Sequence, residues 1–198
     1  MTSQSAGGLT VSFTYDNNGN QLTMTDATGT TTRTYDALNR VVSKTAPATG
    51  TVSFVYDVTS GLPSGCAAER QTDGKGNAVT KAYDKNGRLA EVSDGNGITS
   101  YAYNSDGSLQ KLTYPGGASE EYAYYADNRL KTLANKLADG TVIDAYNYSY
   151  DGAGNLLQTL DGKGLTEYGY DGLNRLASVS EPGKRQIIQR LEPALTEG

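Results

Sequence analysis

The chain has 198 residues, a formal net charge of −5, 36% hydrophobic residues, 24 Gly, 15 Tyr, no His and no Trp. Without His no Ser–His or Cys–His nucleophile can be assembled, and scattered Lys and Arg under a net negative charge argue against a nucleic-acid surface. Aliphatic residues are too few for a thick core, so the composition suits a thin β structure in which tyrosines supply much of the buried area.

The first stretch, "MTSQSAGGLTVSFTYD", has neither the basic nor the apolar region of a signal peptide, and no apolar run in the chain is long enough to span a membrane. It leads into the first of eight units, each anchored on a tyrosine: Tyr15, Tyr35, Tyr56, Tyr83, Tyr103, Tyr124, Tyr150 and Tyr170. Their spacings are 20, 21, 27, 20, 21, 26 and 20 residues, so two short units and one long unit form a larger period of 67 or 68. Repeats of this length call for a stacked architecture.

Within a unit the elements follow a fixed order. An alternating strand ends at the tyrosine, as in "ITSYAY", "SEEYAYY", "AYNYSY" and "LTEYGY". The next residue, Asp16, Asp36, Asp57, Asp84, Asp151 or Asp171, can accept from backbone N–H groups two residues on and so fix a turn. Four residues after the tyrosine stands Gly19, Asn39, Gly87, Gly107, Asn128, Gly154 or Asn174, all tolerant of the left-handed region. Six after it comes an apolar residue: Val41, Leu62, Leu89, Leu109, Leu130, Leu156 or Leu176, with a slip to Leu22 in the first unit. Another follows three later at Val92, Leu112, Leu133 and Val179, a spacing that strict alternation forbids and that implies a bulge.

A second turn closes each unit about ten residues on, at "DATG" (Asp26), "DGKG" (Asp73), "DGNG" (Asp94), "PGG" (Pro115), "ADG" (Ala138) and "DGKG" (Asp161). Asp-Gly between extended runs predicts tight hairpins with the glycine at positive φ. Two strands and two turns per unit predict an all-β protein of antiparallel hairpins; a β-solenoid of parallel coils is the alternative that a period of 20–21 also allows. About sixteen strands in one sheet would curl. Two residues before the anchor the side chain is aromatic in six of eight units: Phe13, Phe54, Tyr101, Tyr122, Tyr148 and Tyr168, with Arg33 and Lys81 as the exceptions.

Cys66, in "GLPSGCAAER", is the single cysteine and has no partner for a disulfide; it reads as a loop or small core residue. The "DGKGN" and "DGNG" loops lack the ligand string of calcium sites, so no metal and no cofactor is expected. The aspartates fall where turn capping explains them, so no catalytic residue is assigned. The array is expected over residues 1–180, and 181–198, "EPGKRQIIQRLEPALTEG", as a tail outside the repeat that forms a short helix, frays, or guards a sheet edge.

"TYDNNGNQL", "TYDALNRV", "AYDKNGRL", "SYDGAGNL" and "GYDGLNRL" resemble the YD-repeat, or RHS-repeat, family, and "VYDVTSGL", "AYNSDGSL" and "YYADNRL" resemble degraded copies of the same motif. The resemblance implies a hairpin sheet wound into a hollow spiral, as in bacterial Rhs and wall-associated proteins, toxin-complex shells and animal teneurins. It also implies a secreted or cell-surface parent; the chain itself carries no localisation signal. The YDPxxGRF…DPxG core motif of the bacterial members is absent. The expectation is therefore a non-catalytic structural module, a fragment or orphan segment of a shell that encloses a toxin. Its partners would be neighbouring repeats or that cargo, with no nucleic acid. The alternative is a carbohydrate-binding module at a cell surface that uses Tyr101, Tyr122, Tyr148 and Tyr168 as sugar platforms.

Overall fold

The computed structural model describes residues 2–6 and 9–187, with side chains described for residues 10–183. These residues form eighteen strands and, among them, no helix. The chain divides into two compact units, Met1–Ser100 and Tyr101–Gly198.

The first unit holds β1 (Thr2–Ala6), β2 (Leu9–Tyr15), β3 (Gln21–Asp26), β4 (Gly29–Tyr35), β5 (Val41–Ala46), β6 (Gly50–Val58), β7 (Ala67–Thr72), β8 (Ala78–Tyr83), β9 (Leu89–Asp94) and the start of β10 (Gly97–Tyr103). Each pairs antiparallel with the next. The second unit continues with β11 (Leu109–Thr113), β12 (Ser119–Tyr124), β13 (Leu130–Lys136), β14 (Val142–Tyr150), β15 (Leu156–Asp161), β16 (Gly164–Tyr170), β17 (Leu176–Glu181) and β18 (Lys184–Ile187). From β11 onward the pairing is again sequential and antiparallel. The chain is thus built of antiparallel hairpins, and the parallel coils of a β-solenoid are not what it forms. Lys184–Ile187, the start of the expected tail, pair with β17 from Glu181↔Lys184 to Ser178↔Ile187; residues 188–198 lie outside the described residues.

The bulge implied by the three-residue spacing is present and recurs. In β8–β9 Tyr83 faces Leu89 while Ala82 faces Glu91, so Ala90 is the extra residue. The same shift follows Tyr15, Tyr35, Tyr124, Tyr150 and Tyr170. It places the anchor tyrosine opposite the residue six later and the residue two before the anchor opposite the residue nine later, all on one face. The first unit does not slip: Tyr15 faces Gln21, and Leu22 is the bulged residue.

The two faces differ sharply. On the tyrosine face Phe13, Tyr35, Phe54, Tyr56 and Tyr83 are half-buried. The opposite face of β2–β6 is a ladder of cross-strand hydroxyl pairs, Thr14–Thr23 at 2.6 Å, Thr25–Thr30 at 2.8 Å, Thr34–Ser43 at 2.6 Å and Thr45–Thr51 at 2.8 Å. Such pairs stabilise a sheet where no apolar layer covers it. Ala68 and Ala82, at 4% and 1% exposed, are the only fully buried apolar residues among those described. A meander this thin draws its stability from ladders and loops more than from a core.

Candidate functional site

The feature that recurs most often is the loop. Ten connections among the described residues close in the same way: the first loop residue donates its N–H to the carbonyl of the fifth, and the fourth donates to the carbonyl of the first, at 2.8–3.2 Å. The fourth residue lies at positive φ, from +58° at Asn174 to +93° at Gly107 and Gly117. This is a turn followed by a left-handed residue, a standard solution for a three-residue hairpin loop. It explains why Gly or Asn recurs four residues after the tyrosine.

Aspartate at the first position completes the loop. The Asp36 carboxylate accepts from the N–H groups of Leu38 and Arg40, both at 2.9 Å, and from Arg40 Nε at 2.8 Å. Asp16, Asp73, Asp84, Asp151 and Asp171 repeat this pattern with Asn20, Asn77, Arg88, Asn155 and Arg175 as the fifth residue. Where the first residue is Asn104, Tyr125 or Leu137, an aspartate two positions on does the capping. Asp106, Asp127 and Asp139 accept from the N–H of Ser108, Arg129 and Thr141 at 2.9, 3.2 and 2.8 Å. The loops at 114–118 and 137–141, read in the sequence as the "PGG" and "ADG" turns, carry no Tyr-Asp pair and close in the same way, with Gly117 and Gly140 in the fourth position.

Asp57 departs from the expected role. It sits within β6 at a φ of +58°, and the connection to β7 runs instead through 59–66. Its carboxylate accepts from Arg40 Nη1 at 2.8 Å. The tight hairpins also differ from expectation. At "DATG", "DGNG" and "DGKG" the positive φ belongs to Gly29, Gly97 and Gly164, and not to Gly95 or Gly162. Asp26, Asp94 and Asp161 hold these turns by accepting from the N–H two residues on, each at 2.8 Å.

The tyrosines tie one unit to another. The hydroxyl of Tyr35 donates to the Gln21 carbonyl at 2.8 Å, that of Tyr56 to Val41 at 2.8 Å, and that of Tyr170 to Leu156 at 3.0 Å. Gln21, Val41 and Leu156 are the residues facing the preceding anchor tyrosine, so each ring reaches back one unit to the same carbonyl. At these three anchors the tie needs the hydroxyl, which phenylalanine lacks. Tyr83 meets Glu69 Oε1 instead, at 3.3 Å, and burial with that carboxylate raises its pKa. Tyr125 binds the Tyr148 carbonyl at 2.8 Å and sets its ring edge-on to Tyr150 at 6.2 Å. The fifth loop residues add a second tie. Asn20 Nδ2 reaches Asn39 Oδ1 at 2.7 Å, and Asn155 reaches Asn174 at 3.0 Å. The guanidinium groups of Arg40 and Arg129 lie 4.4 and 5.0 Å from the ring centres of Tyr56 and Tyr150.

Tyr101, Tyr122, Tyr148 and Tyr168 lie on β10, β12, β14 and β16 and are half-buried. They do not form one continuous platform. Leu133 stands directly between Tyr122 and Tyr146, and Tyr168 faces Val179. The Tyr122 and Tyr114 hydroxyls both donate to Glu120, and Tyr148 stacks on Tyr146 at 6.4 Å. Burial first and Glu120 second push the Tyr122 hydroxyl far above its ordinary range.

The loop aspartates titrate low. Asp36 and Asp84 lie below the ordinary value of 3.8 chiefly through the N–H of Arg40 and Arg88, and Asp16 and Asp151 through the side chains of Asn20 and Asn155. A carboxylate whose pKa falls on folding stabilises the fold above its unfolded pKa, and that contribution is lost as pH falls through the folded value. The melting midpoint should therefore be level above roughly pH 5 and fall steadily below about pH 4. Thermal melts between these limits check this; a midpoint that stays level down to about pH 2 would mean the loops do not depend on ionised aspartate.

Among the described residues, no three His, Cys, Asp or Glu side chains converge as metal ligands, and no helix is long and apolar enough to cross a membrane. No curated protein matches the chain. Similar solved structures are the crystal structure of TcdB2-TccC3-TEV, with a TM-score of 0.51 at 16% identity, and the Photorhabdus luminescens Tc holotoxin pore, with 0.50 at 17%. They cover 89% and 86% of this chain, which spans only 13% and 12% of theirs; at such identity the likeness is one of fold. An RHS-repeat family model matches residues 1–31. The teneurin YD-shell model matches residues 50–188, more than two thirds of the chain. The capped loops, the tyrosine ties and that match agree: the chain belongs to the teneurin YD-shell family.

Proposed function

We propose that the chain is a non-catalytic segment of a larger YD shell, in which its anchor tyrosines and loop aspartates are purely structural and the assembled sheet encloses a toxin segment. The observation that carries this reading is the unit-to-unit tie: the Tyr35, Tyr56 and Tyr170 hydroxyls each bind the preceding unit. A surface built for chemistry would leave such groups unengaged; here the polar groups are used to propagate a wall. On this reading residues 1–180 are the wall and 181–198 its non-repeat end. Its partners are neighbouring repeats and the cargo, and the parent acts outside the cell.

An antibody against residues 10–183, used on extracts of the source cells, should detect a polypeptide far larger than the 20.9 kDa of this chain. Limited proteolysis of that polypeptide should leave an internal segment protected until the sheet is denatured. A band only at the chain's own mass, or no protected segment, would refute the reading. Half-exposed rings at Tyr101, Tyr122, Tyr148 and Tyr168 support a second, weaker reading as sugar platforms. It requires glycan-array binding that is lost on Tyr148→Ala.

A further inference from the structure

The aromatic row lapses at Lys81, and a hollow of about 130 Å³ opens there on the tyrosine face of β6–β8. Phe54 and Tyr56 form one wall, Gln71 and Val79 the middle, and Glu69 and Lys81 the far side; Arg70 also lines it, but it pairs with Val55 and Thr80 and so alternates to the opposite face from Glu69 and Gln71. Phe54 faces Gln71, which in turn faces Val79, and Glu69 faces Lys81 directly across β7–β8. A carboxylate and an ammonium in that register ordinarily pair. Here neither makes an ion pair with any described residue: Glu69 receives only the Tyr83 hydroxyl, at 3.3 Å on Oε1, and Lys81 has no hydrogen-bond partner among the described residues. The hollow therefore presents two opposite charges held apart beside an aromatic wall.

That arrangement selects its ligand by charge. A simple anion is repelled by Glu69, a simple cation by Lys81, and a neutral sugar leaves both charges uncompensated. A molecule bearing an ammonium and a carboxylate a few ångströms apart satisfies both at once. We propose that the hollow binds a free α-amino acid with a small aliphatic side chain, its ammonium on Glu69, its carboxylate on Lys81 and its side chain against Phe54 and Tyr56. Nothing in the shell reading requires this site; it lies after the 27-residue spacing from Tyr56 to Tyr83, where Lys81 stands at the position that six units fill with an aromatic ring.

The test is a titration of the full-length ¹⁵N-labelled chain with L-valine, followed at the backbone amides of Gln71 and Lys81. Saturable shifts are expected. N-acetyl-valine, which lacks the ammonium, and valine methyl ester, which lacks the carboxylate, should each bind at least about tenfold more weakly, the loss of one charge-assisted hydrogen bond. Lys81→Met, which keeps the apolar stem, and Glu69→Gln should weaken L-valine to a similar degree. The two derivatives need no variant, so the wild-type chain alone decides the matter. No saturable shift with L-valine, equal binding of either derivative, or shifts at these amides with D-glucose but not with L-valine would overturn the assignment.

Discussion

Replacing Tyr35 by alanine is expected to lower the unfolding free energy by about 2–4 kcal/mol, the range of large-to-small changes at packed aromatic positions. Two losses combine. The half-buried ring faces Val41 across β4–β5 and covers the otherwise thin sheet. Its hydroxyl also supplies the 2.8 Å bond to the Gln21 carbonyl, the tie to the preceding unit. Tyr35→Phe separates them: it keeps the ring and removes only the bond, at a cost of about 1 kcal/mol. Urea unfolding of both variants measures the difference. A cost for Tyr35→Ala below about 0.5 kcal/mol, as for an ordinary surface position, would show that the ring is not part of the wall.

Gly29→Ala should be comparably severe, about 2–4 kcal/mol, although the residue lies in a surface turn. At a φ of +125° it occupies a region that side chains rarely enter. A Cβ there would meet Pro47 Cγ at 2.7 Å, so the neighbouring loop must also move. Gly164 repeats the geometry against Pro182, at 2.8 Å and a φ of +124°. Gly95→Ala is the control: it has no positive φ and nothing within 4 Å of a built Cβ, and should change stability by less than about 0.5 kcal/mol. Thermal or urea melts of the three variants decide it. Equal effects at Gly29 and Gly95 would mean that the turn is held by its composition and not by this conformation.

Much of this was legible from spacing alone. The left-handed residues follow from Gly or Asn four places after seven of the eight anchor tyrosines, because few other residues tolerate that region. The bulges follow from pairs such as Leu89 and Val92, which cannot share a face of a regular strand. What stayed hidden depends on neighbours distant in sequence. Gln21 takes an apolar position in the register, so Leu22 read as a slip when it is the bulge itself. The turn at "PGG" was legible, but not that it closes as the same five-residue loop as those after the Tyr-Asp pairs, with Tyr114 first and no aspartate. Asp57 looks like its counterparts in the motif, yet the lengthened connection at 59–66 moves it into a strand. In the tight turns the glycine at positive φ is the one paired across the turn with Asp26, Asp94 or Asp161, a register position that Asp-Gly pairs do not encode. The hollow beside Lys81 was foreshadowed only as a missing aromatic.

The tie between units is tested most directly at the tyrosine hydroxyls themselves. Hydroxyl-proton exchange can be read from the deuterium isotope shift on the ring carbon bearing the oxygen. The Tyr35, Tyr56 and Tyr170 hydroxyls, each donating to a carbonyl at 2.8–3.0 Å, should exchange slowly. Slow exchange at all three is the expected result. Exchange as fast as that of free tyrosine would contradict the claim that these three units are fastened to the ones before them.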